Sequence, residues 1–441
     1  MRDSRESGLR RSLGPFDAAA IVISNVIGGG IFFVPIIVAQ LVPSPGAMLG
    51  VWLCGGALAF AGAMAYAELA AVRPQAGGEY VYLRDAFGPL ASFLTGWTSF
   101  VAGFSGAVAA SAVALADYVG RFVPLSAPAR TTIAIAAIAA LTLIHVRGLG
   151  PGRVVQNLLA SLKVSAIIAI VVLGFAIGHG STANFAPAGD PSAVPWLLAL
   201  VPVMFSYSGW NAAAYVAEEV RDPSRNVPLA LAAGTLAVVA LYLVLNALYI
   251  YAMPPPQLAA LDGRLMDTVA ERLFGFAAGS ALAVFTIVSL AASISAMVLA
   301  GPRVYFAMAR DGIFMRAAGR VHPRFHTPAT AILAQAVWSS VLVLSGTLSQ
   351  LVNYTGFAVV LFSAIAVCAL FVLRRREPSA PRPFSALGYP WAPAIFVAAS
   401  ALMVANAFWR EPKPTLAGVI VILLGVPVYY AFRAGARGPR R

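Results

Sequence analysis

The residues best placed to do chemistry in this chain are those that free the backbone. Residues 23–35 read ISNVIGGGIFFVP, with Gly28, Gly29 and Gly30 in succession inside an apolar stretch. Each glycine costs a helix about 1 kcal/mol relative to alanine, so three together predict an unwound turn. Residues 201–219 read VPVMFSYSGWNAAAYVAEE, with Pro202 ahead of the polar group Ser206, Tyr207, Ser208, Gly209, Trp210 and Asn211, and predict a second break. A half-helix starting after Gly28 offers unpaired N–H groups and the positive end of its dipole, which suit a carboxylate. The half-helices ending before the breaks offer carbonyls around residues 23–26 and 204–206, which suit an ammonium group. A ligand carrying both groups one carbon apart is an α-amino acid.

Titratable side chains narrow the ligand further. Asp17, Glu68, Asp117, Glu218 and Glu219 all fall toward the ends of apolar runs, so no carboxylate inside a run awaits a cationic side chain. Neutral amino acids are favoured over arginine, lysine or polyamines. Lys163 is one of two lysines in the chain and the one inside an apolar run; an ion at that depth is costly and is expected to face the protein. His145, His179, His322 and His326 are scattered, Cys54 and Cys368 sit in apolar runs, and no metal site, disulfide framework or nucleotide-binding loop is expected. No cofactor is implied.

The elements that position these residues follow from composition. Of 441 residues 60% are hydrophobic and 11% charged, against about 25% charged in soluble domains, and the mean hydropathy is +0.83. An all-α polytopic membrane protein is expected, and a soluble enzyme is excluded. The net charge of +13 calls for no nucleic acid, because the arginines lie between apolar runs. With about 20 apolar residues per crossing, the chain predicts twelve spans: 16–40, 46–72, 89–119, 131–147, 154–178, 194–219, 228–252, 273–300, 329–346, 349–373, 389–409 and 414–433. The turn clusters PSPG (43–46), PAGDPSAVP (187–195), MPPP (253–256) and REPKP (410–414) separate them. With the N-terminus inside, 23 of the 30 Lys and Arg fall on the cytoplasmic side and six outside, with Lys163 within a span. That asymmetry predicts a cell inner (plasma) membrane protein with both termini cytoplasmic. The breaks fall in spans 1 and 6, five apart, which fits an inverted repeat: a first half over 16–178, a second over 194–373, and extra helices over 389–433 in a single transmembrane domain. Interrupted segments at matching places in two halves point to a transporter binding site.

These segments resemble the amino acid, polyamine and organocation transporter superfamily, and within it bacterial relatives of the L-type amino acid transporter light chains. The resemblance covers residues 10–410. It is carried by NVIGGGIFFVP (25–35), YAELAAVRPQAGGEYVYLRDAFG (66–88), QNLLASLK (156–163), FSYSGWNAAAYVAEEVRDPSRNVP (205–228), NYTGFAVVLF and the later RRREPSAPRPF. It implies a five-plus-five inverted repeat with two added helices, and alternating access around the broken helices. It implies that Val26, Ile27, Gly28, Gly29 and Gly30 contact the substrate, Phe205 forms a lid, Ser206 and Ser208 line the pocket, and Asn211 braces the unwound segment. Two departures stand out: the family often has serine at Gly29 and glycine at Ser208, which suggests small neutral substrates. By the same resemblance Lys163 replaces a sodium ion, bridging carbonyls near Ile23 and a hydroxyl of span 8, Ser289 or Ser293. Gating is expected of Phe205, of Glu68 with Arg73 or another arginine, and of Glu218; Tyr354 is a further candidate. The loop after span 3 has no cysteine, so no disulfide-linked heavy chain is expected; the partners are the amino acid and the lipid bilayer. A sodium-independent exchanger or proton-coupled carrier of neutral amino acids is the first reading. A cationic amino acid or polyamine carrier, a non-transporting amino acid sensor and an integral membrane enzyme are the others.

Overall fold

The computed structural model describes residues 8–186, 193–262, 265–275, 278–345, 348–410 and 412–436, so residues 187–192 of the PAGDPSAVP turn lie outside the described residues. Apart from one parallel bridge between Leu13 and Val220, the regular elements described are helical. In chain order they are α1 (Pro15–Val26), α2 (Val34–Leu41), α3 (Pro45–Val72), α4 (Glu79–Phe87), α5 (Pro89–Thr98), α6 (Phe104–Val119), α7 (Ala127–Val146), α8 (Leu149–Ile177), α9 (Ala193–Ser206), α10 (Ala212–Tyr215), α11 (Pro223–Ala252), α12 (Pro255–Ala259), α13 (Leu265–Phe274), α14 (Ala278–Arg310), α15 (Ala329–Ser345), α16 (Leu348–Arg376), α17 (Trp391–Arg410) and α18 (Pro412–Ala436). Among the described residues nine helices are long and apolar enough to cross a bilayer, counting α5 and α6 as one run; α1, α9 and α15 are shorter apolar helices.

Local sequence explains most boundaries. Proline opens α1, α3, α5 and α11, where a helix needs no N–H donor. α3 stops at Val72 because Arg73 precedes Pro74, which pushes Arg73 out of the helical region. Between α5 and α6 the chain passes through a π-turn at Ser99–Gly103, whose carbonyls also accept from Tyr305 Oη (Ser99, 3.1 Å) and Trp338 Nε1 (Val101, 2.9 Å).

α14 is the inner helix: 78% of its apolar window is buried, against 22% for α8, α17 and α18. α8 instead turns Val154, Leu158, Leu162, Ile168 and Val172 outward, as a lipid-facing helix would. α1 packs on α8, α11 and α14, and α11 packs on α3. The interrupted helix therefore lies inside a ring of intact ones.

The eighth span differs most from expectation. It was expected over 273–300, but α14 runs on to Arg310 and carries Arg303 on the same helix. The charge at 303 reads as a loop boundary in sequence because its partner is remote. Arg303 is 1% exposed and forks onto fully buried Glu219, Nε to Oε2 at 2.9 Å and Nη2 to Oε1 at 3.0 Å. Around this pair the arginine-rich end of the bundle is closed. Ser12 and Leu13 donate their N–H groups to the Glu219 carbonyl (2.9 and 3.0 Å), and Arg221 N–H returns to Leu13 (2.9 Å). Glu68 is nearly buried and pairs with Arg374 (2.6 Å) and Arg382 (3.4 Å), not with Arg73, which holds Asp85 (3.0 Å) and Glu377 (2.6 Å).

Removing one partner of a buried pair leaves the other desolvated and uncompensated, at a cost of about 3–5 kcal/mol. Arg303→Met is therefore expected to lower the thermal unfolding midpoint of the detergent-solubilised protein markedly. The double variant Arg303→Met, Glu219→Gln should recover most of the loss.

Candidate substrate site

α1 ends at Val26. Ile27 N–H still reaches Ile23 O (2.9 Å), and Gly28 N–H then turns back to Val26 O (2.8 Å). The Gly29 and Gly30 N–H groups have no backbone acceptor, and a 3₁₀ turn over Gly30–Phe32 leads into α2. Gly29 is exposed, and a Cβ placed there would meet nothing within 4 Å. Of the donors expected of the first break, that of Gly29 thus belongs to an exposed residue without a backbone acceptor among the described residues.

The second break follows α9. Gly209 has φ +104°, in the left-handed region that favours glycine, and a Cβ there would stand 2.6 Å from Asn25 Nδ2. The two breaks touch: Gly30 packs so closely on Ser206 that a Cβ would lie 2.8 Å from its Oγ. On the open side the Phe205 ring is 36% exposed and lies 6.5 Å from the Phe33 ring, itself 41% exposed. Phe33 was missed in the sequence, where one aromatic in an apolar run carries no signal. Ser206 is buried and Ser208 half-buried. Val26, Ile27, Gly28, Gly29, Gly30, Phe205, Ser206 and Ser208 are thus brought together, while Asn211 lies behind them. Tyr354 belongs to α16, but its side chain lies outside the described residues.

The carbonyls differ from expectation, because protein groups already occupy them. Lys163, fully buried, donates from Nζ to Ser24 O (3.2 Å), Ile27 O and Ser293 Oγ (3.0 Å). Ser293 Oγ itself lies 3.1 Å from both of those carbonyls. The carbonyl of Ile23 instead accepts from Ile27 N–H within the helix, and Ser289 Oγ has no partner among the described residues. Tyr242 of α11, not singled out in the sequence, sets its hydroxyl 3.0 Å from Val26 O and 3.2 Å from Ser206 O, so one group ties both breaks together.

A second set of missed residues lies in the turn before α4. Ala76 N–H donates to Glu218 Oε2 (3.0 Å), Gly77 N–H donates to Tyr215 O (3.0 Å), and Glu79 Oε2 accepts from Asn211 Nδ2 (3.2 Å). Gly78 has φ +54° and abuts the Tyr215 ring, which a Cβ would meet at 2.7 Å. The turn thus lies as a splint along residues 211–218, the short α10 and the 3₁₀ turn that follow the break in the sixth span. Glu218 also meets Arg310 (3.1 Å). The carboxylate absent from the apolar runs is supplied from outside them, by Glu79, and it is engaged on the buried side of the break.

An open apolar groove of about 560 Å³ is lined by Gly46, Leu49, Gly50, Leu53, Phe175, Leu243, Val244 and Ala247. It does not include the breaks, and nothing in it could orient a polar ligand. His145 is buried against Ser295 (2.9 Å), and neither cysteine is bonded.

A family described as amino acid permease matches residues 13–432. The chain belongs to the amino acid permease family. The human cystine/glutamate transporter is 31% identical over 440 residues, spanning 98% of the permease and 87% of that protein. The serine/threonine exchanger SteT of Bacillus subtilis is 28% identical over 433 residues and 98% of both chains. The human large neutral amino acids transporter small subunit 2 is 29% identical over 434 residues, spanning 96% of the permease and 80% of its own length. Membership places the permease among multi-pass membrane transporters, not enzymes.

Losing a hydrogen bond that serves buried carbonyls costs about 1 kcal/mol or more. Tyr242→Phe is therefore expected to slow substrate exchange by about five- to tenfold. Tyr249→Phe, whose hydroxyl meets Met266 instead, should leave the rate near wild type. Parallel uptake measurements in reconstituted vesicles check both.

Proposed function

We propose that the permease is a sodium-independent exchanger of neutral L-amino acids, working by alternating access in the cell's inner membrane with both termini in the cytoplasm. In this reading the chain has twelve spans, with residues 16–178 and 194–373 as inverted repeats and 389–433 as the added pair. Val26, Ile27, Gly28, Gly29, Gly30, Phe205, Ser206 and Ser208 hold the substrate; its carboxylate meets the open N–H groups at Gly29 and Gly30, and Phe205 closes over it. Glu68, Glu218 and Phe205 act as gates, the first two on the cytoplasmic side.

The observation that carries the reading is the Lys163 ammonium. It sits among Ser24 O, Ile27 O and Ser293 Oγ, a set of hard oxygen donors of the kind a sodium ion would need. A fixed cation there leaves no charge for sodium to supply. The side-chain end of the pocket is read as neutral because the ionisable groups bonded to the two breaks, Lys163 and Glu79, are engaged by protein groups. The relatives named for serine/threonine exchange and for large neutral amino acids carry such substrates.

The test is uptake of labelled alanine, leucine, phenylalanine and arginine into proteoliposomes, with and without internal amino acid. Alanine uptake is expected to need internal substrate and to be unchanged when sodium is replaced by choline. Faster uptake of phenylalanine than of alanine would overturn the small-substrate preference, and uptake of arginine alone the neutral one. Lys163→Ala leaves two carbonyls and a hydroxyl without their buried cation, and exchange should fall at least about a hundredfold. Wild-type transport by that variant across pH would remove the role. Amino acid binding without uptake under any gradient would favour a sensor.

A further inference from the structure

Glu79 is a carboxylic acid held against the broken sixth span with no cation to balance it. From α3 it receives the Tyr66 hydroxyl at 2.9 Å, and from the unwound segment Asn211 Nδ2 at 3.2 Å. The Tyr215 hydroxyl, which accepts from Asn211 at 3.0 Å, is a further partner of the carboxyl. One turn along its own helix is Tyr82, buried, edge-on to Tyr66 at 5.6 Å, with an unpartnered hydroxyl. The neighbouring charges are occupied elsewhere: Arg73 with Asp85 and Glu377, Arg84 with Asp85 and Asp311, Glu218 with Ala76 N–H and Arg310. Among the described residues no arginine, lysine or histidine pairs with Glu79.

We propose that Glu79 is a proton-binding residue that positions the unwound part of the sixth span, and that it takes up its proton as the arginine-rich end of the bundle closes. The residues it holds make it more than a surface acid. Asn211 is next to Trp210, whose ring stands 4.9 Å from Tyr66, and four residues along lies Tyr215, to whose carbonyl the Gly77 N–H is fixed. The segment that must move when this end opens is therefore fastened through the Glu79 carboxyl. Tyrosine and asparagine donate to a carboxylate, yet neither neutralises it, and removal from water disfavours the charged form. Burial accordingly pushes the Glu79 carboxyl above its usual range, against the opposing hydrogen bonds of Tyr66, Tyr215 and Asn211.

When this end opens, water reaches the carboxyl and its proton affinity falls toward that of an ordinary glutamate. The closed state then binds more protons than the open one, so acid on this side stabilises closure and alkali favours opening. Each unit by which the carboxyl's affinity differs between the two states changes their ratio by up to about tenfold.

This inference rests on the reading of the permease as an alternating-access exchanger, so its test has a second arm that needs no transport. In the first arm, exchange of labelled alanine by the reconstituted full chain is followed with internal pH stepped from about 5 to 8.5, a range bracketing a raised carboxyl. Wild type should slow as internal pH falls. Glu79→Gln should lose that dependence and stay near the wild-type acid-limb rate, and Glu79→Asp should restore a titrating limb with a displaced midpoint. In the second arm, tryptophan fluorescence of the purified protein is titrated without substrate. Wild type should show a transition above the ordinary glutamate value of about 4.3 that Glu79→Gln lacks. If no amino acid is exchanged while that transition is present and Glu79-dependent, the transport reading fails and the proton site stands. Identical wild-type and Glu79→Gln curves overturn the proton site; if Glu79→Gln does not fold, an undisplaced midpoint in Glu79→Asp does the same.

Discussion

The structure depends on one constraint: backbone that leaves the helical state inside a bilayer must find its hydrogen bonds within the protein. Two helices break in the centre of this bundle, and each break strands carbonyls that lipid cannot satisfy. The first break is served by a buried ammonium, Lys163, together with Ser293. A neutral hydroxyl, that of Tyr242, then reaches the last carbonyl of each half-helix. A lone buried charge would be costly by itself, but here the open carbonyls and the charge remove each other's penalty. That reciprocity explains why the first interrupted helix, α1, lies among α8, α11 and α14.

Donors and acceptors are treated differently at the breaks. The carbonyls accept from protein groups, whereas the N–H groups at Gly29 and Gly30 have no backbone acceptor among the described residues. A site left with free donors and no free acceptors selects for the anionic end of a ligand first. The amine must then be recognised by whatever carbonyl capacity remains, since each oxygen has a second lone pair. On the proposed reading, recognition of an α-amino acid is weighted toward its carboxylate, which is independent of the side chain. That fits a family whose members are named for side chains as different as serine, cystine and large neutral groups.

Much of this was legible in the sequence where the signal was local. Three glycines in a row, and Pro202 followed by a polar group, foretell unwinding because helix propensity is a property of the residue and its neighbours. Lys163 stood out because a lysine in an apolar run has few tolerable surroundings. Of its expected partners Ser293 is met, while the carbonyls are those of Ser24 and Ile27, since the helix keeps the Ile23 carbonyl for Ile27 N–H. What the sequence hid is tertiary. Arg303 looks like a loop charge until Glu219, 84 residues away in the chain, is brought to it. Tyr242 is an aromatic among aliphatics until both breaks converge on its hydroxyl. Glu79 sits outside every span, so a search for acids within spans passes it by.

The two breaks are consequently held by different means, and the difference has a mechanical meaning. The first is clamped from within the bundle by Lys163, through groups that burial makes hard to exchange for water. The second shares the Tyr242 hydroxyl and is otherwise clamped from outside the bundle, by the turn at residues 76–79, through Ala76, Gly77 and Glu79, whose bonds lie near the arginine-rich end and, on the alternating-access reading, are replaced by water when that end parts. Bonds that water can replace cost little to break, and bonds that it cannot replace cost their full desolvation. The sixth span is thus the freer of the two broken helices on this side. A bundle whose central helices differ in this way can open one end without releasing the cation that holds the other break together.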